Sequence, residues 1–182
     1  MKKLIITALA LAAIAIAPSA YAQTKMVGGA EMFPTKNIVE NAVNSKDHTT
    51  LVAAVKAAGL VPTLSSAGPF TVFAPTNEAF NKLPAGTVDN LVKPENKVAL
   101  TKILTYHVVA GKLSAADLWT KVKDGNGKAE LSTVSGGTLT VMAQGKKLYL
   151  VDEKGGKSWI TIADVNQSNG VIHVVNAVLM PN

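Results

Sequence analysis

Cysteine is absent from this sequence of 182 residues. Without a thiol, the chain can form no disulfide in an oxidising compartment, and it offers no thiolate as a nucleophile or metal ligand. It also lacks the residue to which a lipoprotein anchor is attached. The folded chain must therefore be stabilised by packing.

Arginine is also absent, so lysine supplies all of the side-chain positive charge. The planar guanidinium that reads guanine edges and clamps phosphates through paired hydrogen bonds is therefore missing. The lysines are spread along the chain, with short pairs such as Lys146-Lys147. We interpret them as a solvated surface, with a loose, salt-sensitive attraction to polyanions as the alternative. A nucleic-acid partner is not expected.

Sequence motifs of common enzyme classes are missing as well. The chain has no G-x-S-x-G, no H-E-x-x-H, no P-loop and no G-x-G-x-x-G after a predicted strand. The segment Ser114-Ala-Ala-Asp117 resembles a helix capping box. We therefore predict a protein that is not an enzyme and that uses no cofactor or metal, with an unrecognised hydrolase as the alternative.

Three histidines are the remaining candidates for a metal or catalytic site. His48 follows Asp47 in a polar turn, which favours a solvated side chain. His173 lies between valines in a strand-like run, which favours a buried imidazole bonded to the backbone. His107 lies at a helix-to-strand junction, where a neutral imidazole paired in the core is favoured over exposure to a partner.

The N-terminus has the pattern of an export signal. Lys2 and Lys3 precede an apolar run from Leu4 to Ala17, and Ala20-Tyr21-Ala22 has the small-x-small spacing of a cleavage site. A membrane anchor, the alternative, needs about 20 apolar residues, more than this run provides. We predict cleavage after Ala22 and a periplasmic or extracellular location, with no membrane span in the mature chain.

The mature chain has the size of one domain. Cleavage leaves 160 residues and lowers the formal net charge from +6 to +4, because Lys2 and Lys3 are removed. We divide the sequence into a signal peptide (1–22), a glycine-rich N-terminal arm predicted to be irregular (23–36), and one domain (37–181).

Helical patterns precede strand patterns in this domain. Apolar spacing predicts helices between Ile38 and Leu118, interrupted by a short buried strand at Phe70–Phe73. Five β-rich runs follow between Leu131 and Val178, and glycine-containing turns separate them. At the last turn, Asn169-Gly170 is expected to adopt positive φ angles. The order predicts an α+β fold, with N-terminal helices packed on an antiparallel sheet or sandwich.

Three sequence blocks indicate a known family. They are GPFTVFAPTNEAF at 68–80, LTYHVVAGKL at 104–113 and ADVNQSNGVIHVVNAVLMP at 163–181. In order and separation they resemble the first signature, the central Tyr-His segment and the second signature of fasciclin domains. The resemblance covers nearly all of the mature chain and is to a bacterial, secreted, single-domain member of that family.

The resemblance implies a function in cell adhesion. It predicts a secreted or periplasmic protein that binds a protein or polysaccharide of the cell surface, envelope or matrix. In some animal fasciclin proteins the Tyr-His segment resembles an integrin-recognition surface, which here corresponds to Tyr106 and His107, with Val108, Val109 and Leu113 nearby. Tyr106 and His107 are therefore the candidate partner-binding residues.

A second function remains open from the sequence. A soluble carrier or sensor would hold a small ligand in a cleft between the helices and the sheet. In either case we expect a monomer, because Lys146-Lys147 at a strand turn discourages edge-to-edge pairing.

Overall fold

The computed structural model describes residues 24–182. The predicted signal peptide and its cleavage site lie outside the described residues. Within the described part, no helix has the length and hydrophobicity needed to cross a membrane.

Residues 24–182 contain seven short α-helices. They are α1 (Ile38–Ala42), α2 (Thr49–Ala58), α3 (Val61–Ser65), α4 (Asn77–Asn81), α5 (Thr87–Leu91), α6 (Lys97–Tyr106) and α7 (Ala115–Asp124). Polar caps begin several of them. Ser114 and Asp117 form a reciprocal capping box at the start of α7, as the sequence predicted. Gly59, at φ +74°, ends α2 in the left-handed conformation that glycine adopts without strain.

Nine β-strands accompany these helices in the described residues. They are β1 (Lys25–Val27), β2 (Ala30–Met32), β3 (Phe70–Pro75), β4 (Val108–Ala110), β5 (Lys128–Ser132), β6 (Thr138–Gln144), β7 (Lys147–Val151), β8 (Lys157–Gln167) and β9 (Gly170–Val175). The last seven form one sheet in the order β4-β3-β9-β8-β7-β6-β5. The predicted α+β class is therefore confirmed.

The sheet is not the purely antiparallel one that the sequence predicted. Strands β5 to β9 pair antiparallel in succession, but β3 lies parallel to β9, with Phe70 opposite Gly170. The edges then approach each other, because a bridge joins Val109 to Thr133 and the amide of Val134 donates to the carbonyl of Val108 at 2.8 Å. The seven strands thus nearly close into a barrel.

Two apolar cores lie on the two faces of this sheet. Phe73, Tyr106 and Leu118 belong to the core inside the barrel, to which α7 contributes its two buried residues, Leu118 and Val122. Val72 and Ile172 belong to the core between the sheet and the helices. Strands β3 and β9 contribute to both cores, and every residue of β9 is buried. This two-sided burial is typical of parallel strand pairs.

The turn between β8 and β9 differs from the prediction. Ser168 and Asn169 form it, and Gly170 is already the first residue of β9 without a positive φ. The side chain of Asn169 is instead buried against the helices. Its amide nitrogen donates to the carbonyls of Leu64 and Ser66 at 2.8 Å, and its oxygen accepts from the amide of Ile38 at 3.0 Å.

The N-terminal arm is not irregular as predicted. Strands β1 and β2 form a hairpin within it, joined by Gly28 and Gly29, which both have positive φ. Val27 and Met32 are buried in the core between the sheet and the helices. Two alternating strands of three residues are too short to be recognised by periodicity, so the hairpin was missed.

Candidate functional site

The first predicted partner-binding residue, Tyr106, lies in the barrel core. It is the last residue of α6 and is 0% exposed. Its hydroxyl donates to the carbonyl of Thr138 at 2.7 Å and accepts from the amide of Glu153 at 3.1 Å. Burial raises the pKa of Tyr106 to about 12, so its hydroxyl keeps its proton. The side chain joins α6 to the start of β6 and to the turn between β7 and β8.

The second predicted residue, His107, is also buried, at 3% exposure. Its Nδ1 lies 2.8 Å from the carbonyl oxygen of Ile103, to which it donates, and its Nε2 accepts from the amide of Leu179 at 3.0 Å. This pair of partners selects the neutral tautomer protonated at Nδ1. Burial lowers the pKa of His107 to about 4, in agreement with that assignment.

The structure therefore places both Tyr106 and His107 in the interior and not at the surface. Val108 and Val109 beside them are buried too. Contact with a partner would require these side chains to leave the core. A partner-binding role for Tyr106 and His107 stays a prediction, and their observed contacts are those of structural residues.

The replacement Tyr106→Phe distinguishes a structural role of Tyr106 from a partner-binding role. Loss of the hydroxyl leaves the Thr138 carbonyl and the Glu153 amide without their partner, and we expect the free energy of unfolding to fall by about 2 kcal/mol. Urea denaturation measures this. A variant of unchanged stability that no longer adheres would instead support the binding role.

His173 is buried and bonded to the backbone, as the sequence predicted. Its ring stacks on Phe73, with centroids 5.7 Å apart. Nε2 lies 2.8 Å from the carbonyl oxygen of Leu113, and Nδ1 accepts from the amide of Asp164 at 3.3 Å. Burial lowers the pKa of His173. The imidazole is thus neutral and ties β9 to the segment before α7.

His48 is not solvated, and that prediction was wrong. Its side chain is 3% exposed, and Nδ1 lies 2.8 Å from the hydroxyl of Ser45. The β1–β2 hairpin covers this turn, since the amide of Lys46 donates to the carbonyl of Gly28 at 3.1 Å. Burial lowers the pKa of His48. All three imidazoles therefore belong to the interior, and none is presented to a substrate at the surface.

An apolar cavity of about 60 Å³ lies between the sheet and the helices. Aliphatic side chains of the hairpin, α2 and β9 form most of its wall, including Val27, Val55 and Ile172. His48 also lines it, and within the described residues its Nε2 has no hydrogen-bond partner. The cavity corresponds in position to the cleft predicted for a small ligand.

A larger, open groove of about 630 Å³ lies on the surface where β7 and β8 separate. The pairing of these strands covers Tyr149–Val151 and Lys157–Trp159 and stops there. Past that point the two strands diverge, and α7 lies beside the gap. The groove is lined by Ala115, Trp119, Lys146, Lys147, Leu148, Trp159, Ile160, Thr161, Ala163 and Asn176.

The groove holds both tryptophans of the sequence. Trp119 on α7 is 36% exposed. Trp159 on β8 is half-buried and packs against Tyr149, with ring centroids 4.8 Å apart. Lys146 and Lys147, at the β6–β7 turn, are exposed beside them. The groove therefore combines aromatic surface with positive charge, an arrangement that sequence reasoning missed because its residues come from three distant segments.

The nearly closed seven-stranded sheet with its helical layer is the fold of a fasciclin domain. The sequence model of the fasciclin domain family matches residues 46–181. The chain belongs to this family.

Relatives and solved structures agree with this assignment. The chain is 51% identical over 144 residues to protein sll1483 of Synechocystis sp., a match covering 79% of this chain and 73% of that protein. It is 40% identical over 145 residues to the immunogenic protein MPB70 of Mycobacterium bovis, covering 77% and 66%. A domain pair from the insect cell adhesion molecule Fasciclin I has the same fold, with a TM-score of 0.57 and 23% identity over 71% of this chain and 43% of that one.

Proposed function

We propose that this protein acts outside the cytoplasmic membrane, in the periplasm or the extracellular space, as an adhesion or matrix-interaction module. It binds a protein or polysaccharide of the envelope or matrix and performs no catalysis. The observation that carries this proposal is the open groove lined by Trp119 and Trp159, because exposed aromatic surface in a concave site is typical of recognition.

Two further observations support a binding function. The family includes a protein described as a cell adhesion molecule, Fasciclin I. The histidines that a hydrolase would use as a general base are held in the interior by backbone hydrogen bonds or by Ser45. The remaining concave surface is suited to holding a partner.

A pull-down with the chain lacking residues 1–22 tests the proposal. The immobilised protein is incubated with envelope and extracellular extract at low and at high salt. We expect a saturable protein or polysaccharide partner that remains bound at high salt. Retention of the partner only at low salt would indicate nonspecific attraction to the lysine charges and would contradict the proposal.

A small-ligand carrier or sensor is the second candidate, and the internal cavity favours it. At about 60 Å³, with walls that are almost entirely apolar, it has room for only a few non-hydrogen atoms. The unpaired Nε2 of His48 offers one polar contact. Native mass spectrometry of the same purified sample distinguishes the candidates, because a carrier retains a stoichiometric ligand and an adhesion module does not.

A further inference from the structure

The two indole rings of the groove offer flat surfaces of a kind that pyranose rings pack against. The face of an aromatic ring carries partial negative charge, and the axial C–H groups of a sugar are weakly positive. The ring of Trp159 on β8 packs against that of Tyr149, with the two ring planes tilted by 41°. Trp119 lies across the groove on α7 and is partly open to solvent.

The charge of the groove is of one sign. Lys146 and Lys147 line it, and none of the ten lining residues is acidic. Across residues 24–182 the one ion pair within 4 Å joins Lys128 to Glu130, so the two groove lysines have no carboxylate partner. Such a site attracts an anion.

The walls of the groove are held in place by backbone contacts. The amide of Trp159 donates to the Asn176 side chain at 2.9 Å, and the amide of Asn176 donates back to the Trp159 carbonyl at 3.2 Å. The first amide of α7, at Ala115, donates to the carboxylate of Asp164 on β8 at 2.7 Å. The two aromatic walls are therefore positioned before a ligand arrives, which lowers the entropy cost of binding.

We propose that this groove binds a segment of an acidic polysaccharide whose pyranose rings carry carboxylates, that is, a polyuronate. Trp119 and Trp159 stack on the sugar rings, while Lys146 and Lys147 pair with the carboxylates. A uronate carries its charge on the ring that stacks, which matches a groove where indoles and ammonium groups lie side by side. The inference rests on the proposed function and names its partner.

Intrinsic fluorescence provides the first test, because both tryptophans of the chain lie in the groove. The chain lacking residues 1–22 is titrated with oligogalacturonate, with a neutral malto-oligosaccharide of equal length, and with polyglutamate. We expect saturable quenching with oligogalacturonate alone. Equal quenching by the neutral sugar would show that the lysines do not contribute to binding. Equal quenching by polyglutamate would show that stacking on sugar rings does not contribute. Either result overturns the proposal.

Calorimetric titration of variants with oligogalacturonate tests whether the groove is the binding site. Trp119→Ala is expected to weaken oligogalacturonate binding about tenfold, as is Trp159→Ala. The double variant Lys146→Gln/Lys147→Gln is expected to weaken it about fivefold and to reduce its salt dependence. Because Trp159 packs on Tyr149 and its removal can disturb the fold, Trp119→Ala, on the exposed side of α7, is the decisive variant.

Matched controls come from the same chain. Lys121→Gln/Lys123→Gln removes the same charge from exposed positions of α7 that do not line the groove. Val98→Ala removes an apolar side chain that is 84% exposed and does not line the groove. Both controls are expected to bind like the parent protein, and a loss equal to that of the groove variants would overturn the proposal.

The outcomes separate this inference from the function on which it rests. If envelope extract still yields a partner but oligogalacturonate does not bind, the polyuronate assignment is wrong and the adhesion function stands. The captured partner could instead be a protein whose binding is abolished by Trp119→Ala. In that case the groove is the binding site but its occupant is a peptide segment, and the polyuronate assignment is wrong. Binding of dextran sulfate as tight as that of oligogalacturonate contradicts selectivity for carboxylates. If nothing binds in either assay, both proposals fail.

Discussion

Acidification from pH 7 to pH 4 is expected to lower the free energy of unfolding by about 3 kcal/mol through His107 alone. Burial lowers the pKa of this imidazole to about 4 in the folded chain, whereas its ordinary value is 6.5. Between these values the unfolded chain binds a proton that the folded chain does not, so stability falls as the pH falls through this window. Urea denaturation at half-unit pH intervals measures the effect.

The hydrogen bonds of the histidines explain why protonation is so unfavourable. Nε2 of His107 accepts from the Leu179 amide, and Nδ1 of His173 accepts from the Asp164 amide. A second proton on either ring would place two donors against each other without solvent. Burial also lowers the pKa of His48 and of His173, so all three changes have the same sign.

The variant His107→Gln serves as the control. A glutamine amide retains one donor and one acceptor but does not titrate. We expect a lower stability at pH 7 and a smaller decrease between pH 7 and pH 4 than in the parent protein. The same pH dependence in both proteins would assign the effect to other groups.

Replacement Gly170→Ala is expected to cost about 3 kcal/mol of stability, at the upper end of the usual cost of overpacking. A Cβ at this position would lie 2.1 Å from the carbonyl oxygen of Phe70, which is a backbone atom and cannot turn aside. Relief requires β3 and β9 to move apart at the start of their parallel pairing. Thermal denaturation measures the loss.

Gly145→Ala is the matched control for this glycine. Residue 145 has a φ of +60°, which strains the backbone of an alanine, but the added Cβ would meet no atom within 4 Å. We expect a cost of about 1 kcal/mol, from the left-handed conformation alone. Equal costs at the two positions would contradict a steric role for Gly170.

The sequence predicted the elements that local pattern controls. The capping box at Ser114 and the buried strand that begins at Phe70 were predicted because cap chemistry and short apolar runs act within a few residues. The family followed from three long blocks in register. The sequence predicted a glycine with positive φ in a turn at Gly170. The structure needs glycine there for a different reason, because β3 and β9 approach each other closely at this residue.

The features that were missed depend on segments far apart in the chain. His48 has polar neighbours in the sequence, and it is buried because the β1–β2 hairpin covers its turn. The parallel pairing of β3 with β9 cannot be read from either strand alone. The groove joins α7, the β6–β7 turn and β8, and of its lining residues only the pair Lys146-Lys147 forms a recognisable pattern in the sequence.

The parallel pairing of β3 with β9 also determines when the domain can fold. Partners such as Phe70 and Gly170 are 100 positions apart, so the central ladder has a high contact order and closes late. A nascent chain that ends before residue 170 lacks β9, the strand that joins β3 to β8 in the sheet, and exposes both apolar cores. The sheet therefore cannot be completed until nearly the whole chain is available, and the export that we propose would meet this condition if it precedes folding.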